Sequence, residues 1–305
     1  MAISRAQLLK ELVPGLNALF GLEYARYKEE HKDVFTTETS ERSYEEETKV
    51  SGFGPAPVKM EGSATHYDEA QEVYTSRYVH ETISLGYALT EEAFEDNLYD
   101  SLSSRYTKAL ARSMAHTKQT KAAAILNNAF QATSPGGDGV SLCNTQHPLI
   151  MGGAFNSNTS STSADLNETA IENATTQIAG WLDDRGLLIA AKPKKLVVPA
   201  ALVFTATRLL RSQYRPGTAD NDINAIYTNG TIPDGWVVNH WIVDPKVWFI
   251  LTDVPNGLKC FERVPLQSKA DPDFDTGNLR FKARARFSFG WSDPLGIWGS
   301  AGGGG

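Results

Sequence analysis

Histidine and cysteine most often carry metal or nucleophilic chemistry in proteins, but their spacing in this sequence does not define a site. The six histidines lie in unrelated segments, and none belongs to the His-Glu-x-x-His pattern of a zinc protease. Cys143 and His147 are four residues apart and could be a ligand pair, or a thiol and its base. Pro148 follows directly and no Cys-x-x-Cys pair exists, so a loop contact is the favoured interpretation. We expect neither a metalloenzyme nor a thiol enzyme.

Two further patterns resemble binding loops without completing them. The glycines after Pro135 lack the Gly-Lys-Ser/Thr of a phosphate-binding loop and are interpreted as a helix stop. The three alternating aspartates of segment 271–275 resemble a calcium loop, but Gly277 comes one place late and Lys282 stands where a bidentate glutamate is needed. A solvated turn is favoured there. We expect no catalytic residue, no cofactor and no metal ion.

Composition excludes several classes of protein. The chain has 305 residues, of which 41% are hydrophobic and 21% charged, enough to build two domains or one elaborated domain. The net charge of −7 argues against nucleic-acid binding over the whole surface but allows a local basic face. Only two cysteines are present, nothing resembles a signal peptide, and no apolar run approaches the roughly 20 residues that span a bilayer. We expect a protein of the reducing cytoplasm with no membrane contact.

One long helix organises the elements. The segment from Thr90 to Phe130 contains neither proline nor glycine, Thr90 is a candidate N-cap, and the sequence 134–137 (SPGG) stops it. At 1.5 Å per residue it would be roughly 60 Å long, too long for a small globule. Its apolar residues recur every four positions from Phe94 to Met114, so the apolar stripe winds around the helix and meets several partners.

The segments before this helix predict a short helix and an extended hairpin. Ser4 and Gln7 form a capping box for a helix ending near Val13, which Pro14 interrupts. Segment 38–49 has a net charge of −3 and almost no large apolar residue, so it cannot bury itself. We predict that it belongs to a hairpin that opens with the strand-forming residues 34–39, turns within 50–60 and returns over 67–89.

The rest of the chain predicts a mixed α and β domain followed by one long strand. After the loop 135–163 we expect a helix capped by Asp165 or Ser163 and ending near Trp181, a strand at 196–199, a helix at 200–211, and strands at 236–243, 247–252 and 258–264. Segment 279–290 alternates with period two. It predicts one apolar face and one basic face, the latter formed by Arg280, Lys282, Arg284 and Arg286.

This order of elements resembles that of tailed-bacteriophage major capsid proteins of the Hong Kong 97 fold. The resemblance covers nearly the whole chain and is carried by MEGSATHYDEAQEVYTSRYVHETISLGYALTEE before the long helix, by QHP after it, and by KKLVVPAALVFTATRLLRS, WFILTD, GLKCFER and DFDTGNLRFKARARFSFGWSDPLGIWGS. It implies an α+β subunit, divided into an N-terminal arm (1–30), an extended β-hairpin loop (31–65), a peripheral domain (66–138) with a spine helix at about 90–131, an axial domain (139–264), a return to the peripheral domain (265–300) and a disordered tail (301–305).

The resemblance also implies a function. We expect a virion structural protein, not an enzyme, that self-assembles in the host cytoplasm into pentamers and hexamers of an icosahedral head around double-stranded DNA. Scaffolding protein and portal are further expected partners, and a decoration protein is an open alternative. Only about 30 residues precede the hairpin, which favours a separate scaffolding protein. An encapsulin-like compartment shell of the same fold is the alternative, and a soluble enzyme with an unrecognised site is a third interpretation.

Contacts between subunits are expected at the charged surfaces. We predict that they involve Glu45, Glu46, Glu47, Phe53, Lys59, Arg280, Lys282, Arg284 and Arg286, with the acidic hairpin of one subunit on the basic strand face of another. The alternatives are a basic face turned toward packaged DNA, and two solvated surfaces. Some capsid proteins join a lysine of the extended loop covalently to an asparagine of a neighbour. Lys59 lies near the corresponding place, but no asparagine or assisting acid matches, so we expect no crosslink.

Overall fold

A computed structural model of the chain describes residues 5–90, 99–150, 155–214, 222–273 and 278–303. Within these ranges the helices are α1 (Arg5–Arg26), α2 (Tyr99–Asn127), α3 (Glu168–Ala179), α4 (Val203–Arg211) and α5 (Ala225–Thr228). The strands are β1 (Thr36–Thr39), β2 (Tyr44–Val50), β3 (Glu72–Val79), β4 (Glu81–Leu89), β5 (His147–Pro148), β6 (Phe155–Asn156), β7 (Pro193–Val198), β8 (Trp236–Val238), β9 (Trp248–Thr252), β10 (Leu258–Pro272), β11 (Leu279–Trp291) and β12 (Ile297–Ser300).

Helix α2 is the predicted spine. It contains 29 residues, which corresponds to about 43 Å at the rise of an α-helix. Residues 91–98, with the predicted first turn and the apolar Phe94 and Leu98, lie outside the described residues. The helix ends at Asn127, four residues before the expected end at 131, because the chain enters turns at 128–130. The prediction of a long helix is confirmed over the described part.

Helix α1 corrects the predicted break at Pro14. The helix continues through this proline, although an internal proline costs a helix about 3 kcal/mol through a lost hydrogen bond and a steric clash. Leu16 and Phe20 lie in one buried cluster with Leu110 and Met114 of α2. Burial of such side chains contributes about 1.5–3 kcal/mol each. Packing on the spine therefore offsets the cost of the proline.

The first sheet has the strand order β1-β10-β11-β4 and carries the predicted two-faced strand. β1 runs parallel to β10, and the other neighbours are antiparallel. Along β11, Phe281, Ala283, Ala285 and Phe287 are buried in the same cluster as the side chains of α1 and α2. The prediction of an apolar face on this strand is confirmed. The opposite face of the sheet carries the basic side chains.

The predicted hairpin is formed by β2 and β3, but its arms are shifted along the chain. Tyr44 lies opposite Val79 at one end, and Val50 lies opposite Glu72 at the other. Residues 34–35, expected to open the hairpin, are instead buried in a cluster with side chains of α2, and β1 pairs with β10. The returning arm is divided, because β4 leaves the hairpin and joins the first sheet. The hairpin thus occupies 44–79 rather than the predicted 34–89.

The second sheet, β12-β9-β7-β8, supports the mixed domain expected after the spine. Its core includes Leu196, Trp248, Ile250 and Trp298, together with the buried face of α3. The C-terminal strand β12 pairs with β9, so the last strand belongs to this sheet and not to the first one. Two predicted strands change length: β8 stops at Val238, and β10 continues past 264 because β11 pairs along it.

The start of helix α3 and the C-terminal tail both differ from the prediction. Asn167, not Asp165 or Ser163, caps α3, and its side chain accepts a hydrogen bond from the Ala170 amide at 2.7 Å. The expected disorder of the tail is wrong for residues 301–303. The Gly303 amide donates to Asp165 Oδ1 at 2.9 Å, and its carbonyl accepts from Lys246 at 3.2 Å.

Candidate assembly surfaces

Strand β2 turns charged side chains toward the body of the protein. Successive side chains of a strand point to opposite faces, and along β2 exposed and half-buried residues alternate. The half-buried set is Glu45, Glu47 and Lys49. The inner face of β2 is therefore charged rather than apolar. It attaches the hairpin to the body of the protein through ion pairs and hydrogen bonds.

Glu47 has its partners within its own chain. Its carboxylate accepts hydrogen bonds from Lys259 Nζ and Ser292 Oγ. Lys259 is buried on β10 and also lies 3.0 Å from Glu38 Oε1. Burial opposes the charged form of Lys259, but its hydrogen bonds with the two glutamates outweigh this and raise its pKa. Glu47 is thus neutralised without a neighbouring subunit.

Glu45 is likewise satisfied within the chain. Ser40 Oγ donates to Glu45 Oε1 at 2.7 Å and lies 2.8 Å from His80 Nε2. His80 Nδ1 lies 3.0 Å from Ser288 Oγ, and burial lowers the pKa of this histidine. The premise that the acidic hairpin needs a neighbour to order it is therefore wrong for Glu45 and Glu47.

Glu46 is the acid of the predicted trio that points outward. Its Oε1 lies 3.7 Å from Arg77 Nε on the paired strand. The Arg77 guanidinium stacks over the Tyr44 ring at 4.1 Å. Both charges are solvent-exposed and form a weak pair. Glu46 remains available to a second molecule.

Lys49 is a contact residue that sequence reasoning missed. Its Nζ lies 3.1 Å from Asp293 Oδ2 and 3.4 Å from Asp184 Oδ2. Burial raises the pKa of Asp184, and the nearby ammonium of Lys49 opposes this shift. From the sequence alone, a lysine in a charged segment is expected to be solvated. Only the tertiary structure reveals the two carboxylates that surround it.

The basic face of β11 is divided between paired and unpaired cations. Arg280 Nη2 donates to Asp273 Oδ2 at 2.6 Å, and Arg286 Nη2 donates to the Ser43 carbonyl at 3.5 Å. Lys282 and Arg284 are exposed, and no described residue forms an ion pair with either. Lys282 also lies opposite Lys269 of β10, and like charges in this position repel. This half of the face is a candidate surface for an anionic partner.

The hairpin connection, residues 51–71 between β2 and β3, exposes apolar side chains. Phe53 and Lys59, the two predicted contact residues here, are both exposed. Val58, Met60 and Tyr67 are exposed as well, with Val58 at 95%. Several exposed apolar side chains in one segment make it a candidate for a surface that another protein covers.

His147, the suspected base for Cys143, has other partners for both of its ring nitrogens. His147 Nδ1 lies 2.6 Å from Asp138 Oδ2, and its Nε2 lies 3.0 Å from Asn158 Oδ1. The side-chain nitrogen Nδ2 of Asn158 donates to the Leu142 carbonyl at 2.7 Å, which fixes the side-chain oxygen toward the imidazole. Both ring nitrogens are thus engaged. Cys143 is buried, and this burial raises its thiol pKa. These groups form a structural network that closes the loop after α2.

The remaining chemical patterns also have structural roles. Within the described ranges, no group of three His, Cys, Asp or Glu side chains is arranged to hold a metal ion. Asp271 belongs to β10 opposite Arg280, so the suspected calcium loop is partly a strand. Residues 274–277 of that pattern lie outside the described residues. No described helix is both long and apolar enough to cross a membrane.

Comparison with solved structures identifies the fold. A virus-like particle protein from Pyrococcus furiosus aligns with a TM-score of 0.55 and 11% identity, covering 95% of this chain and 99% of the other. The capsid of cyanophage P-SCSP1u gives 0.56 at 10% identity, covering 88% and 86%. The capsid of an empty GTA particle gives 0.53 at 15% identity, covering 90% and 89%. Comparison with curated proteins gives no match.

These likenesses place the protein in a class: it has the Hong Kong 97 fold of shell-forming capsid proteins, as predicted from the sequence. The family model described as "Phage capsid protein" matches residues 72–300. Since this match covers well over half of the chain, the chain belongs to the phage capsid protein family. Its function is that of a phage capsid protein, and the surfaces described above are its candidate assembly surfaces.

Proposed function

We propose that the chain assembles into pentamers and hexamers of an icosahedral head in the host cytoplasm and encloses double-stranded DNA without enzymatic activity. The observation that supports this most strongly is the family match over 72–300. In this arrangement segment 139–264, together with β12, lies around the axes of pentamers and hexamers. Scaffolding protein and portal are the proposed assembly partners, and a decoration protein is a further candidate.

The proposed contacts between subunits use the surfaces left open in the single chain. Lys282 and Arg284 of one subunit face the outward acid Glu46 and the exposed hairpin connection with Phe53 and Lys59 of another. The exposure of these groups and the charge of Glu46, opposite to that of Lys282 and Arg284, support the proposal. Arg280 and Arg286 flank the contact. Glu45 and Glu47 are assigned to the hairpin's internal attachment.

Electron microscopy of the protein expressed with and without its scaffolding protein tests the proposal. We expect closed icosahedral shells with pentamers and hexamers, and DNA-filled heads in infected cells. Only small oligomers under both conditions would contradict the proposed assembly.

A protein compartment is the second candidate, because the virus-like particle protein from Pyrococcus furiosus aligns over nearly its entire length. Mass spectrometry of purified particles distinguishes the two. Shells formed in infected cells that contain one abundant protein cargo and no DNA would favour the compartment.

A further inference from the structure

The turn Asp183–Gly186, between α3 and β7, contacts the hairpin at two places with opposite charges. Asp184 Oδ2 lies 3.4 Å from Lys49 Nζ near the end of β2. The next residue, Arg185, donates from Nη2 to both carboxylate oxygens of Asp68, each at 2.8 Å. Asp68 lies in the hairpin connection. Two adjacent side chains of the turn thus hold both sides of the hairpin.

The turn is organised before it meets the hairpin. The Asp183 side chain accepts hydrogen bonds from the Arg185 amide at 2.9 Å and from the Leu187 amide at 2.8 Å. Gly186 has φ 81°, a conformation that glycine adopts without strain. These local bonds fix the directions in which Asp184 and Arg185 leave the backbone.

The hairpin connection has no apolar anchor of its own on the described structure. Phe53 and Tyr67, its two aromatic side chains, are 59% and 88% exposed. Asp68 is the residue that ties the connection together, because its Oδ2 also accepts from the Gly54 amide at 2.8 Å. The Gly54 hydrogen bond and the Arg185 side chain lower the pKa of Asp68 to about 2. The carboxylate is therefore charged under ordinary conditions.

The base of the hairpin is attached differently. Tyr78 of β3 is buried, and its ring lies 4.8 Å from that of Phe261. Its hydroxyl is hydrogen-bonded to Ser292 Oγ, which also donates to Glu47. The base thus combines apolar burial with shared hydrogen bonds, whereas the connection is held by the Asp68–Arg185 ion pair, whose side chains are 29% and 21% exposed.

We propose that the turn Asp183–Gly186 is a releasable latch for the hairpin connection, residues 51–71. The partly exposed Asp68–Arg185 pair is screened by salt and contributes little, so the connection detaches while the base and the buried Asp184–Lys49 contact stay in place. Detachment exposes the whole connection to a second molecule. When Arg185 pairs with Asp68 again, the connection is held in one orientation on the body of the protein. This inference concerns the single chain and does not depend on how the shell is built.

Hydrogen exchange of the purified, unassembled full chain tests the latch. Arg185→Gln should speed amide exchange in 51–71 by up to about fivefold, the limit expected for an exposed ion pair. Arg185→Lys should keep exchange nearer to the original rate, since it retains the charge. Raising salt from about 0.1 M to about 1 M shortens the screening length from about 10 Å to about 3 Å. The original protein should then exchange as fast as Arg185→Gln.

A double-mutant cycle separates the latch from a general loosening. Asp68→Asn keeps an acceptor for the Gly54 amide but removes the charge, and should match Arg185→Gln. The double variant should exchange no faster than either single variant, because both remove one interaction. Lys59→Gln, which removes a charge from the same connection with no described ion-pair partner, is the control and should have no effect. Exchange in β9 reports whether each variant folds normally.

Unchanged exchange in Arg185→Gln, or effects of the two single variants that multiply in the double variant, would overturn the latch. So would an equal effect of Lys59→Gln.

Discussion

At the scale of single residues, His31 shows how tertiary packing changes a side chain's chemistry. Its ring is buried between α2 and the first sheet, 5.6 Å from the ring of Phe289. Gln119 Nε2 lies 3.1 Å from His31 Nδ1, and the His31 amide donates to Gln119 Oε1 at 3.1 Å. Burial, together with the Lys118 ammonium, lowers the pKa of His31 to about 4. The folded chain therefore holds this histidine neutral.

Acid should consequently destabilise the protein through His31. The pKa in the folded state lies below that of the unfolded chain, so the unfolded state binds the extra proton as the pH falls below about 6.5. The stabilisation is complete above that pH and is lost progressively down to the folded pKa of about 4. The loss should approach about 3 kcal/mol. Urea unfolding at a series of pH values measures it.

His31→Gln should reduce this acid dependence, whereas His66→Gln, at an exposed position of the hairpin connection, should leave it unchanged. The slope of the unfolding free energy against pH is the quantity compared, so a lower overall stability of His31→Gln does not matter. An identical slope in the original protein and in His31→Gln would assign the acid sensitivity to other groups.

At the scale of elements, helix α1 shows packing overriding local preference. The helix contains Pro14 and two glycines, Gly15 and Gly21, all unfavourable in a helix interior. A Cβ added at either glycine would meet no atom within 4 Å apart from the nearby backbone of the helix itself. The glycines therefore serve no close approach within the single chain. The helix is held by its buried face on α2.

Alanine at these glycines should stabilise the unassembled chain. Gly15→Ala and Gly21→Ala should each raise the free energy of unfolding by about 0.5–1 kcal/mol, because glycine loses more backbone freedom on folding. Chemical denaturation measures the change. Gly299→Ala is the opposing control, since its Cβ would lie 2.7 Å from Cys143 Sγ and 2.8 Å from Phe249 Cδ1. It should destabilise by about 1–3 kcal/mol. Destabilisation by Gly15→Ala would contradict the continuous helix.

At the scale of the whole molecule, the first sheet is unevenly covered. The hairpin base packs over the end of its outer face near Phe261 and Ser288. The other end, with Lys282 and Arg284, is uncovered in the single chain. An uncovered basic surface on a chain with a net charge of −7 favours an acidic surface of another copy as its partner.

Charge reversal should therefore block assembly at this face. Lys282→Glu with Arg284→Glu should lower the yield of shells formed without DNA by at least about tenfold, because facing like charges cost several kcal/mol. Adding Glu46→Lys should restore part of the yield. Light scattering and electron microscopy measure both.

The same double reversal at two exposed positions of helix α2, Lys108→Glu with Arg112→Glu, is the control for charge in general, and an equal loss there would remove the case for the β11 face. Normal empty shells with weaker DNA retention in Lys282→Glu with Arg284→Glu would place this face against DNA instead.

The assembled shell should contain no covalent links between subunits. Lys59 is exposed, and nothing in the sequence identifies an asparagine or an acid that would react with it or assist. Shells boiled in denaturant with reductant should give one band at the chain mass of 33.3 kDa on a gel. A ladder of multiples of that mass would show that a crosslink forms.

The sequence by itself determined the elements whose signal is local. The long stretch without proline or glycine predicted α2, and the period-two pattern predicted β11 with its apolar and basic faces. The order of the sequence motifs along the chain predicted the fold. These features depend on neighbours along the chain, which a sequence displays directly.

Only the tertiary structure decided where local preference and packing disagree. Helix α1 continues through Pro14, because the free energy gained by burying one face of the helix exceeds the cost of the proline. Residues 34–35 are buried in the core, so the hairpin begins later than predicted and occupies 44–79. The tertiary structure gave Glu47 and Lys49 partners in β10, in the turn Asp183–Gly186 and beside β12. A charge in sequence has no visible partner, because the groups that neutralise it are brought together from distant parts of the chain only by folding.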